Sequence, residues 1–99
     1  MTDIKKMLQE RGENYGVFAD HATISQALKG AFRAWPGWEK MLQDQREALD
    51  MIAHKIGRIM NGNPNYADSW VDIAGYAMLV ADRLGIPTTE VASEDRPET

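Results

Sequence analysis

Acids and bases in the middle of the chain fall on narrow stripes: Glu47, Asp50, His54 and Arg58, then Asp68, Asp72 and Arg83. Residues three or four apart share one face of a helix, so Glu47 and Asp50 point together, as do Asp68 and Asp72. If the two stripes belong to facing helices, the four carboxylates Glu47, Asp50, Asp68 and Asp72 could converge. Oxygen donors of that kind suit Mg2+, which keeps waters and substrate phosphates in its shell. The same spacing also allows a plainer arrangement. In it Glu47 caps a helix, Asp68 meets the dipole of the next one, Asp50 pairs with His54, and Lys55, Arg58 and Arg83 neutralise the rest. Asp72 weighs toward chemistry, because it stands more than a turn inside a mostly apolar stretch, where an acid needs a partner or a metal.

Lys55 and Arg58 are placed either to hold the phosphates of a nucleotide or to neutralise Asp68 and Asp72 directly. Neutralisation is the simpler reading and the one that removes a metal site. Tyr76 follows Asp72 by four residues, so its hydroxyl could reach a ligand or the acids. The rings of Tyr15, Phe18, Trp35, Trp38, Trp70 and Tyr76 include material for a base-stacking platform, typically about 1 to 3 kcal/mol per base, although packing explains most of them. His54 reads as a solvated or hydrogen-bonded helix histidine, with a catalytic base as the second reading. His21 belongs to a helix entrance.

The elements that must position these groups are helical. Thr2 to Arg11 carries Ile4, Met7 and Leu8 at helical spacing, with Thr2 as N-cap and Gly12 as terminator. Gly12 to Asp20 reads as a structured loop anchored by Tyr15 and Phe18. Ile24, Ala27, Leu28, Ala31 and Phe32 predict a second helix from Asp20 or Thr23 to Ala34. Trp35, Pro36, Gly37 and Trp38 turn the chain. Asp44 with Glu47 resembles a capping arrangement, and Leu49, Ile52, Ala53, Ile56, Ile59 and Met60 form an apolar face running to Asn61 and Gly62. The turn residues Asn61 to Asn65 predict an antiparallel helical hairpin whose next helix starts near Tyr66. Apolar residues then cover most of the circumference to Leu84, which predicts a helix buried on several sides. Its small residues Ala74, Gly75, Ala77 and Ala81 suit the centre of the fold or an oligomer interface.

Ninety-nine residues, 43% hydrophobic and 26% charged, predict one globular domain over 1–86, an all-α small helical bundle that gains from oligomerisation, followed by a mobile polar tail over 87–99. No apolar run nears the roughly 20 residues of a membrane span, which predicts a soluble, cytoplasmic protein without a membrane partner. Without cysteine there is no disulfide framework and no thiolate metal site. A net charge of −4 with scattered basic residues disfavours duplex nucleic acid.

Glu10, Arg11, Tyr15, Gly16 and Phe18, then Lys55, Ile56 and Arg58, then the run from Asp68 through Ser69, Trp70, Val71, Asp72, Ile73, Ala74, Gly75 and Tyr76 to Ala77 together resemble a small phage and prophage domain family. That group is itself similar to the MazG-type all-alpha nucleotide pyrophosphohydrolases, with the likeness concentrated between Glu47 and Leu84. In the MazG-type pattern one helix carries two glutamates three apart, and the next carries an acid followed by aspartate three later. Glu47 and Asp50 match the first pair with aspartate in the second place. Asp72 matches the final aspartate; Ser69 stands three before it, and Asp68 supplies an acid four before.

The resemblance implies a phage protein of the host cytoplasm that binds a nucleotide as a homo-oligomer. It implies Glu47, Asp50, Asp68 and Asp72 as magnesium ligands, with Asp72 and Glu47 catalytic. Lys55, Arg58, Tyr76 and Trp70 would bind substrate, and the hydrolase chemistry would be attack of a metal-activated water on a nucleoside triphosphate with release of pyrophosphate. The alternatives are a non-enzymatic phage accessory protein that binds and modulates a host protein, and a module that sequesters a nucleotide without chemistry.

Overall fold

The computed structural model describes residues 3–85, and among them the chain is helical throughout with no strand. Helix α1 spans Ile4–Tyr15, α2 Phe18–Arg33, α3 Gln43–Asn61 and α4 Ala67–Arg83, with a 3-10 turn over Pro36–Lys40 between α2 and α3. The expected tail over 87–99 lies outside the described residues, as does Thr2.

The helix ends differ from the sequence reading where local polar groups compete. Asp3 caps α1, its side chain accepting from Lys6 N at 3.1 Å. Gly12 does not stop that helix, which runs on to Tyr15. The break falls at Gly16, whose φ of 81° lies in the left-handed region that glycine enters without steric cost. The expected loop over Gly12 to Asp20 is therefore only a sharp corner between α1 and α2. At the start of α3, Gln45 and not Glu47 supplies the reciprocal cap, its side-chain oxygen accepting from Leu42 N at 2.9 Å. The hairpin over Asn61 to Asn65 forms as expected. Trp70 fastens it, the indole N–H donating to Pro64 O at 2.8 Å.

Helix α3 is the middle of a small helical bundle. It packs along α2 on one side and along α4 on the other, while α1 lies across its C-terminal half. Glycine makes the α2 approach possible: a Cβ at Gly57 would come within 2.8 Å of the His21 ring. Near the other end, Trp38 is buried, stacks with Phe32 at 5.7 Å between centroids, and carries the Arg33 guanidinium at 4.6 Å. Burial of such a ring stabilises by roughly 1.5 to 3 kcal/mol. Arg46 closes the 3-10 turn by donating to Trp38 O and Glu39 O.

Helix α4 departs most from expectation. Only Ser69 on it is buried. Trp70, Val71, Met78 and Leu79 are exposed, with Val71 at 63%. An all-round apolar helix is expected to be enclosed on several sides, but among the described residues α4 packs mainly on α3, which takes the central position. Among the described residues no helix is long and apolar enough to cross a membrane.

Candidate functional site

The α3/α4 seam carries the acids of interest. Tyr76 sits between two shallow depressions, one lined by Asp44, Glu47, Ala48, Leu79 and Val80, the other by Val71, Asp72, Gly75 and Leu79. The antiparallel hairpin thus sets Glu47, Tyr76 and Asp72 along one open line.

The four carboxylates do not close into one group. Lys55 Nζ lies 2.8 Å from Asp72 Oδ2, with the lysine side chain 11% exposed and the aspartate 41%. Lys55 reaches Asp72 because α3 and α4 pack side by side at that level. Asp50 faces away toward α2, where Arg33 grips it through two hydrogen bonds of 2.9 and 2.7 Å. The guanidinium holds the Asp50 carboxyl below the usual carboxylate range despite partial burial, and the pair raises Arg33 in turn. The expected Asp50 to His54 pairing is replaced by this bidentate fork, a geometry that favours arginine over histidine. Asp68 is exposed in the first turn of α4 and Glu47 is exposed on α3. Among the described residues no three of histidine, aspartate and glutamate stand close enough to hold a metal ion. Asp44, beside Glu47, forms a fork with Arg83 that includes a 2.8 Å bond and ties the start of α3 to the end of α4. That contact lowers Asp44 and raises Arg83.

Lys55 and Arg58, read together as phosphate contacts, are separated by the structure. Lys55 turns to Asp72; Arg58 turns to α1, its guanidinium 4.0 Å from the centroid of the Tyr15 ring. Tyr66 meets the same ring edge-on at 5.8 Å. Proximity to Tyr15 and then to Asp68 raises the Tyr66 phenol. Trp70, expected to shape a pocket with Tyr76, holds the hairpin turn instead.

Two histidines form a contact that spacing alone did not disclose. His21 is buried, and its Nε2 lies 2.9 Å from the His54 carbonyl. A carbonyl only accepts, so Nε2 carries the proton and donates. The two rings meet edge-on at 4.5 Å. Burial first, then the neighbouring His21, Arg58 and Lys55, pushes His54 down to about 4, so it is neutral at physiological pH. Helical spacing within α3 gave no signal of this, because the partner comes from α2, thirty-three residues away.

No curated protein and no solved structure matches the chain. The family model described as "Domain of unknown function (DUF6378)" matches residues 1–84, and the chain belongs to that family.

Proposed function

We propose that this chain is a MazG-like nucleotide-binding protein of phage origin that works as a homo-oligomer in the host cytoplasm. The observation that carries the reading is the open line of Glu47, Tyr76 and Asp72 along the α3/α4 seam, flanked by the exposed apolar side chains of α4. A polar ligand with a planar body finds hydrogen-bonding groups and an apolar edge there. A second copy packed on α4 would cover Val71 and Met78 and deepen the seam.

The donor set as it stands does not fit magnesium. Asp50 is held by Arg33, Asp72 by Lys55, and only Glu47 and Asp68 are without a basic partner among the described residues. Magnesium-dependent hydrolysis would require Asp72 to leave Lys55. The proposed role is therefore to hold the nucleotide rather than to cleave it. The test is a thermal-shift panel of canonical and modified nucleoside triphosphates, paired with an assay for released pyrophosphate. A raised melting temperature without pyrophosphate is expected; no shift with any nucleotide removes the proposal.

The second reading, an accessory protein that binds a host protein, is favoured by the number of large apolar side chains left at the surface, including Trp35, Leu42, Met60 and Leu84.

A further inference from the structure

The chain is acidic overall, with a net charge of −4, yet one of its cavities is lined by two arginines and no carboxylate. It lies where α1 crosses the corner to α2 and the C-terminal half of α3, and has a volume of about 370 Å³. Volumes of roughly 300 to 1,000 Å³ are typical of small-molecule sites. Arg11 comes from α1 and Arg58 from α3; Tyr15, Phe18 and Leu8 supply the apolar wall. Neither arginine takes part in an ion pair or a side-chain hydrogen bond among the described residues. Arg58 is instead stacked on Tyr15. A guanidinium held by its face keeps its N–H edge free for a planar anion, and little freedom remains to be lost on binding.

The cavity wall is also fixed in place. Asn61 Nδ2 lies 2.9 Å from both Tyr15 O and Val17 O and donates to them, pinning the corner from below. Gly16 allows that approach, since a Cβ there would collide with the Asn61 backbone. The corner leads directly into α2, whose N-cap residue Val17 offers no side-chain cap and whose first-turn acid, Asp20, is not among the residues lining the cavity.

We infer that this α1/α2/α3 cavity binds a small aromatic anion, its phosphate or carboxylate between Arg11 and Arg58 and its ring against Phe18 and Leu8. The site is separate from the α3/α4 seam and does not rest on the nucleotide reading.

The test is a titration of the full chain followed by amide NMR. The cross-peaks of Gly12 and Gly16, both in the cavity wall, are the reporters. Phenyl phosphate, benzoate and inorganic phosphate are the probes, so that the arms separate a phosphate from a carboxylate ligand and a ring from a bare anion. Saturable shifts at both glycines are expected with phenyl phosphate or benzoate, with inorganic phosphate weaker. Arg11→Gln should weaken binding of the responding probe about tenfold, the scale of one charged hydrogen bond. Arg11 is exposed and makes no contact the fold needs, so that variant keeps its structure; Lys40→Gln, on the distant 3-10 turn, should change nothing.

Silence at Gly12 and Gly16 with both aromatic probes overturns the inference, as does an Arg11→Gln affinity equal to that of Lys40→Gln. A nucleoside triphosphate that moves Gly75 while the aromatic probes leave Gly12 and Gly16 unmoved would retain the seam and remove the cavity. Phenyl phosphate binding with no response to any nucleotide would do the reverse.

Discussion

Lys55 and Asp72 form an ion pair of 2.8 Å between α3 and α4, and its two ends differ in exposure: the lysine side chain is 11% exposed and the aspartate 41%. That asymmetry fixes the order of two substitutions. Asp72→Asn leaves an ammonium seated between helices without its counter-charge, and should cost about 1 to 3 kcal/mol. Lys55→Met leaves a carboxylate that water already reaches and fills the seat with an apolar chain of similar length, so it should cost less. Chemical denaturation of the two variants checks the order, and an equal or reversed ranking contradicts the geometry.

Acid should weaken the protein through His54. The folded pKa is lowered from 6.5 to about 4, so the unfolded chain takes up a proton first. Stability from this group is complete above pH 6.5, declines as pH falls from there, and is lost by about pH 4. His54→Gln should flatten the upper part of that decline, above about pH 5, where few carboxylates titrate. Melting temperatures across that interval measure it.

Two glycine-to-alanine changes inside helices should have opposite signs. Gly30 on α2 has open space where a Cβ would be, and alanine there should stabilise by up to about 1 kcal/mol through helix propensity. At Gly57 the same change places a Cβ 2.8 Å from the His21 ring carbon and 3.1 Å from Nε2. Because His21 is buried and bonded to the His54 carbonyl, it cannot step aside without losing that bond. Gly57→Ala should lower the melting temperature and Gly30→Ala raise it.

Homo-oligomerisation has a direct test on α4. Val71 and Met78 project from the side of the helix that no other part of the described chain covers. A charge there should not disturb the monomer, so Val71→Glu is expected to shift sedimentation of the native protein to the monomer mass while helix content holds. Native protein that sediments as a monomer at high concentration would contradict the oligomer.

Helix number, hairpin and turn positions were legible in the sequence, because apolar periodicity and clusters such as Asn61 to Asn65 report on local backbone alone. The end of α1 was not: Gly12 looked like a terminator, but the left-handed residue is Gly16, selected by Asn61 from the far end of α3. The acids behaved likewise. Same-face spacing put Asp68 and Asp72 on one stripe, and neutralisation of Asp72 by Lys55, which the structure shows, was one of the open readings. It could not show that Asp50 would turn to Arg33 on α2, or that Arg58 would leave the acids for Tyr15, since both partners are set by which helices become neighbours. The central place of α3 was missed for the same reason. Composition made α4 look more enclosed, whereas contact on two sides made α3 so.

The measurement that bears most directly on the nucleotide-binding role is calorimetric titration of the purified chain with a non-hydrolysable nucleoside triphosphate, with magnesium and with chelator. The Lys55 to Asp72 pair leaves no metal set among the described residues, so saturable heat of similar size in both conditions is expected. No heat in either condition would contradict nucleotide binding, and heat only with magnesium would contradict an intact ion pair in the bound state.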